Sequence, residues 1–597
     1  MHTGRVHRMP FGAEPTVAGV RFRLWAPDAQ RVELRLEEPH RVLEMRPGGD
    51  GWFELEAAEA GAGTRYRYAI DGATVVPDPA SRFQPAGVKG PSEVVDASSW
   101  RWQAEWHGRR WEEAVLYELH VGTFTSGGTF RSAIERLEHL DGLGVTAIEV
   151  MPVATFAGAR NWGYDGVLPY APHPAYGTPE DFRAFVGAAQ ARGIMVLLDV
   201  VYNHFGPEGN WLHTYASAFF TARHQTPWGD ANNYDGPGSG AVREFYIHNA
   251  LYWLEEYRLD GLRLDAVHAI ADDSAPDILE ELAAAVQRGP GRERPVHLVL
   301  ENYDNEARYL GGSAYRAQWN DDFHHACHTL VTGEADGYYA DYAEAPLERL
   351  ARCLSEGFAY QGEPSAFHGG RRRGEPSGHL PSTAFIAFLQ NHDQVGNRAF
   401  GERLAALAPE PALRAVGAVL LMSPAVPALF MGEEFGCLQP FLYFADFSGE
   451  LAEAVRGGRK REFASFTRFG GGELPDPIAA ETFERSTLDW QAASRETHAA
   501  WLSFHRELLA LRRRHVVPGL PAAKAGEPRL FGGTGLDARW RLADGRMLSL
   551  LANLGDRPLP ADGALPPGRL LYALNAGERP EKTLPPWSVL WHAADGA

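Results

Sequence analysis

The chain has 597 residues, 45% apolar and 22% charged, which is room for several domains around a large core. Its net charge of −20, with no basic tract, excludes a polyanion such as nucleic acid as the natural partner, whereas neutral sugars are indifferent to that field. Three widely spaced cysteines (Cys327, Cys353, Cys437) without a CxxC pair exclude a disulfide framework and fit a reducing cytosol.

The first residues, MHTGRVHRMPFGAEPT, hold no apolar run of signal-peptide length, so a soluble cytoplasmic protein is expected. Residues 1 to about 105 then alternate in the β manner: VRFRLWAP, RVELRLE, GWFELEA and TRYRYAI, punctuated by Gly, Pro and Asp. That pattern predicts an N-terminal antiparallel β-sandwich. It shows no cluster of aromatics for sugar, and a structural cap is the expected role. From 106 to 515 strands and helices alternate. Strand candidates are VLYELHV, AIEVMPV, MVLLDVVYN, GLRLDAV, HLVLEN, AQWN, TAFIAFLQN and AVPALFMG, with helical periods such as REFYIHNALYWLEEYR and PDILEELAAAVQR between them. Eight such units predict an α/β fold, a (β/α)8 TIM barrel with long loop insertions. Ala415 to Gly432 is nearly apolar, but Pro424 and Pro427 break it into a buried helix, a turn and a buried strand rather than a membrane span. Residues 516–597 return to short strands (LFGG, RWRLA, MLSLLANL, VLWHA) and predict a small C-terminal β-sandwich. GGRRRGEP near Arg371 and FGGGELP near Gly470 are expected to be mobile loops.

Four of the predicted strands end in polar chemistry: DVVYNH, GLRLDAVH, LVLEN and FLQNHDQVGN. Arg263 and Asp265 are two apart, so a strand places both on one face, a carboxylate beside a fixed cation. Glu301 and Asp393 arrive from other strand ends. Cleaving a glycosidic bond with retention needs a nucleophilic carboxylate and a protonated acid about 5–5.5 Å apart. Arg263 is expected to keep Asp265 ionised, and a more enclosed Glu301 to keep its proton.

These stretches resemble the four short motifs of the α-amylase superfamily of glycoside hydrolases. The resemblance implies that Asp265 is the nucleophile, Glu301 the general acid/base and Asp393 the third carboxylate, which orients the sugar. It makes Arg263 the partner of Asp265, and His204 and His392 binders of sugar hydroxyls. Tyr164, in the loop GARNWGYDGVLPY, is expected to underlie the sugar being cleaved, and Trp162 either to stack there or to pack the loop. The run NWLHTYASAFF is a weaker candidate for distal subsites. In WNDDFHHACH the resemblance suggests that Asp322 and His325 touch the substrate. The same histidines lack the second ligand pair a zinc site needs, and although some α-amylases use the equivalent of Asn203 for calcium, no metal or other cofactor is expected.

The third motif continues as LENYDN, the second as DAVHAIADDS and the fourth as NHDQVGNRAFGERL. With YELHVGTFTSGGTF, NWGYDGV, NHFGPEGN, TPWGD and LAEAVRGGRKREF, the chain is similar to the maltooligosyltrehalose trehalohydrolase family from about Phe11 to Leu590. Tyr303 and YFADF depart from the usual pattern. The resemblance implies cleavage of the α-1,4 bond beside a terminal α,α-trehalose of maltooligosyltrehalose or related α-glucan oligosaccharides. His268, Gln394 and Asn397 are then candidate hydroxyl partners of the departing trehalose. Maltooligosyltrehalose synthase is the implied metabolic partner. A glycogen-branching or general α-1,4-glucan-acting enzyme, and an inactive glucan-binding scaffold, are the alternative readings.

Overall fold

The computed structural model describes residues 2–312, 314–463, 473–561, 565–577 and 583–595. FGGGELP lies mostly outside them. Eight parallel strands close into a barrel: β1 (Leu116–Leu119), β2 (Ala147–Val150), β3 (Met195–Val200), β4 (Gly261–Leu264), β5 (His297–Leu300), β6 (Ala317–Trp319), β7 (Phe385–Phe388) and β8 (Val426–Phe430). Every residue of the eight is buried, as expected when helices cover the outside and side chains fill the inside. All eight coincide with the strands expected from sequence. The apolar stretch near 415–432 is the helix Glu410–Met422 followed by β8, and no helix among the described residues is long and apolar enough to cross a membrane.

Ahead of the barrel, two antiparallel sheets form a sandwich. Gly19–Trp25 alternates inward Val20, Phe22 and Leu24 with outward arginines, and Val32, Leu34, Tyr66 and Tyr68 are also fully buried. The strand Gly12–Thr16, which sequence did not reveal, sits at an edge where Pro15 is tolerated. The sandwich is anchored on the barrel by Phe11, edge-on to Phe245 at 5.3 Å, and by Arg82, 3.5 Å from Glu256. NWLHTYASAFF belongs to the same contact: Ser217 N–H donates to Asp28 at 2.6 Å and Phe219 meets Trp25. Phe219 is thus spent on domain packing, and Phe220 stacks on His213 at 3.9 Å.

The C-terminal sheet holds six strands, including Arg569–Leu574, whose lack of alternation hid it from sequence reasoning. Trp540 and Trp591 stack at 5.7 Å, and their indole N–H groups donate to Leu354 and Ala418 carbonyls on barrel helices. GGRRRGEP is not a free loop. Arg372–Arg373 pairs with Glu363–Pro364, and the Arg373 side chain is buried in an ion pair with Asp322. The three cysteines are free and buried.

Candidate active site

Charged side chains crowd the carboxyl ends of the barrel strands, and Arg263 is their centre. Its Nη1 lies 2.6 Å from Asp199 Oδ2 and 2.9 Å from Asp265 Oδ1, and its Nη2 lies 3.0 Å from Glu301 Oε2. Burial works against the guanidinium, but Asp199, Glu301 and Asp265 together hold it firmly charged. Arg263 is therefore shared by three carboxylates rather than reserved for Asp265. Asp265 also accepts Asn203 Nδ2 at 2.9 Å, so that amide is turned to donate, and Tyr164 OH donates to Asp199 at 2.6 Å. Burial raises Asp199 to about 7 against the pull of Arg263.

The turn after β4 aligns the second acid. Ala266 adopts a left-handed φ of 40°, a conformation costing a non-glycine residue roughly 1–2 kcal/mol. The turn aims the Ala266 N–H at Glu301 Oε2, 2.8 Å away. The side chain of Glu301 is 19% exposed against 11% for Asp265, which corrects the expectation that Glu301 is the more enclosed. Its distinction from Asp265 lies in bonding: the Ala266 N–H donates to Oε2, and Arg263 Nη2 approaches the same oxygen as an ion pair.

The third carboxylate, Asp393, accepts Asn397 Nδ2 at 3.1 Å and lies 3.3 Å from His392 Nε2. Burial and then Glu301 raise its pKa, while His392 lowers it. His392 is itself buried, with its Nδ1 on Glu118 of β1 and its ring stacked on Tyr164 at 5.0 Å. Burial alone would depress the imidazole, but Asp393 and Glu118 raise it to about 10. His204 meets Asn203 through Nδ1 and stacks on the half-exposed Trp228 at 4.3 Å; burial lowers it to about 4, so it is neutral. His268 is exposed and accepts the Tyr303 N–H at 3.3 Å.

Three expected substrate contacts are corrected. Trp162 is 4% exposed, stacks on Phe441 at 5.3 Å and donates to the Leu442 carbonyl, so it packs the loop. Asp322 is fully buried and occupied by Arg373, Tyr342, Asn305 and two backbone N–H groups. His325 is buried between Tyr338 and Tyr342. The residue after β6 that belongs to the site is Asp321, which accepts Gln394 Nε2 at 3.0 Å and is raised to about 7, first by burial and then by Glu301. Neighbouring residues at the start of the helix Asp321–Thr332 point different ways, so only one of the Asp-Asp pair can face the cleft. Sequence reasoning also passed over Glu118, although a lone acid in the buried run LYEL was a signal.

Among the described residues, one group has the spacing of metal ligands: His224, Asp235 and Asp273. Arg223 already sits 2.9 Å from Asp235 and 3.7 Å from Asp273, supplying the charge an ion would bring.

Residues 96–235 match the family model for the alpha amylase catalytic domain, 10–83 that for carbohydrate-binding module 48 (isoamylase N-terminal domain), and 523–591 a domain of unknown function, DUF3459. The chain is 44% identical over 515 residues to malto-oligosyltrehalose trehalohydrolase of Deinococcus radiodurans, covering 85% of this chain and 84% of that one. It is 42% identical to the protein of the same name from Rhizobium sp., over 92% and 93% of the two chains. A 1.4 Å crystal structure from Salmonella typhimurium, provisionally described as an alpha amylase, superposes with a TM-score of 0.93 at 47% identity, covering 98% of this chain and all of that one.

Proposed function

The chain belongs to the malto-oligosyltrehalose trehalohydrolase family, and from that premise we propose how its own residues release trehalose from a glucan end. The protein is a glycoside hydrolase of the α-amylase type. Asp265 attacks the anomeric carbon of the glucosyl unit that precedes the trehalose. Glu301, its Oε2 held by Ala266 and Arg263, turns Oε1 to the glycosidic oxygen and protonates it, so that trehalose departs. The same carboxylate then takes a proton from water, which opens the glycosyl-enzyme and frees the maltooligosaccharide with retained configuration.

The observation that carries this reading is the single guanidinium within 3.0 Å of both acids, which supports a nucleophile and an acid/base held close together. Asn203 steadies the nucleophile, Tyr164 and His204 flank the cleaved sugar, and Asp393 accepts from its hydroxyls. Gln394, Asn397, Asp321 and His268 line the approach. The trehalose end of the substrate must first be made by a glucan-isomerising activity, the role expected of maltooligosyltrehalose synthase.

Incubation with maltotriosyltrehalose and, separately, with maltopentaose tests the proposal. Trehalose and maltotriose from the first, with slow cutting of the second, are expected. Equal cutting of both indicates a general α-1,4-glucanase, longer glucans a branching activity, and binding without products an inactive scaffold; each overturns it.

A further inference from the structure

His392 is gripped from the barrel interior. Its Nδ1 faces Glu118 Oε1, its backbone N–H donates to Glu118 Oε2 at 3.0 Å, and its Nε2 lies 3.3 Å from Asp393 Oδ2. Glu118 is the third residue of β1 and 2% exposed, and among the described residues both its oxygens are spent on His392 apart from any other donor. A carboxylate is costly to bury, and an imidazolium with a backbone N–H offsets that cost where a neutral imidazole would not. We propose that Glu118 is a positioning residue for the reaction: it clamps His392 so that a charged Nε2–H faces Asp393 and keeps that carboxylate ionised beside the sugar. The proposal rests on the reading of Asp393 as the third carboxylate.

The surroundings leave His392 this task. Arg263 is already shared by Asp199, Asp265 and Glu301, and the ion pair that Asp393 makes among the described residues is with His392. Burial, then Glu301 and Glu118, push Asp393 toward its protonated form, and His392 opposes them more strongly than Arg263 does. The groups around the imidazole are Glu118 from β1, Glu149 from β2, His120 just past β1, Arg263 from β4, the stacked Tyr164 ring and Asp393. Glu149 stands in register with Glu118, meets no hydrogen-bond donor among the described residues, and is driven far upward by burial, so it stays a neutral acid and does not compete for the imidazolium. His120, lowered to about 4 by burial, is neutral as well. Without the Glu118 charge, the proton shared by His392 and Asp393 moves onto Asp393, and the ionised carboxylate is recovered only at higher pH.

Glu118→Gln keeps the size of the side chain and can accept one of the two donors. Expected in this variant is a fall in kcat of roughly 10–100-fold with a smaller change in KM, and an acid limb of the kcat/KM profile moved up by about one pH unit. In nitrogen NMR, with His392→Gln used to assign the signal, His392 is expected to be an imidazolium at pH 8 in the wild type and neutral in Glu118→Gln. A folded variant with an unmoved acid limb overturns the proposal, whether or not its kcat falls. So does a wild-type His392 that is neutral at pH 8, a measurement that decides the matter if the variant does not fold. Failure of the wild type to release trehalose would overturn the functional reading alone, because the NMR titration needs no substrate.

Discussion

Arg263 Nη2 lies 3.0 Å from Oε2 of Glu301, the same oxygen that accepts the Ala266 N–H at 2.8 Å. One oxygen of Glu301, the proposed acid/base, is thus fastened and the other left for the glycosidic bond. The fastening works only while Glu301, Asp265 and Asp199 share one buried cation.

Replacing that cation is therefore expected to disable catalysis and loosen the fold together. In Arg263→Gln, kcat/KM should fall by at least a thousandfold, and stability by about 3–5 kcal/mol, the usual cost of orphaning buried charges. Steady-state rates and a denaturant melt read the two effects. A stable variant with near-normal turnover would show that the three carboxylates need no shared partner.

Asn203 holds the proposed nucleophile through Nδ2, which donates to Asp265 Oδ2 at 2.9 Å and to the Asp265 carbonyl at 2.8 Å, while its Oδ1 meets His204 Nδ1. Asn203→Ala should lower kcat by about 10–100-fold, the loss of one charge-assisted hydrogen bond of roughly 1.5–3 kcal/mol. Asn203→Asp should be worse, since it sets a second carboxylate against the first. Equal activity of the two variants would contradict the role.

The adjacent pair Asp321 and Asp322 should separate cleanly. Asp322→Asn strips Arg373 of its buried partner and is expected to cost about 3–5 kcal/mol in a thermal melt. Asp321→Asn should leave the melt nearly unchanged and alter kcat or KM, because Asp321 lies beside Gln394 near Glu301 and Asp393. The reverse pattern would restore Asp322 to the site.

Stability should fall toward alkaline pH for a stated reason. His392 is raised from 6.5 to about 10 by Asp393 and Glu118 against its burial, so the folded chain holds a proton that the unfolded one releases. Its stabilising contribution is complete below pH 6.5 and lost as pH rises through about 10. The thermal midpoint of the wild type should decline across that window, and the decline should be shallower in His392→Gln. Parallel curves would show that His392 does not carry the linkage.

Much of this was legible before any coordinates. Barrel strands buried on both faces read as short apolar runs, and an acid at the end of such a run announces a site, which is how Asp265, Glu301 and Asp393 stand out. Period-two alternation likewise marked Val20, Phe22 and Leu24 as the inner face of the sandwich. What stayed hidden depends on direction and on partners distant in sequence. No local pattern says which of Asp321 and Asp322 faces the cleft, or that Arg373 crosses from a Gly-rich hairpin to meet Asp322. Trp162 reads equally as a sugar platform or as loop packing until Phe441 is found stacked on it. The relative enclosure of Asp265 and Glu301 was misjudged because Asn203, from the loop after β3, closes over Asp265 alone of the two.

The most direct test of the central claim follows the first turnovers on maltotriosyltrehalose by proton NMR. Trehalose is expected together with maltotriose that appears first as its α-anomer and only later mutarotates, with neither product formed by Asp265→Ala. Maltotriose released first as the β-anomer, or trehalose still released at a near-normal rate by Asp265→Ala, would contradict it.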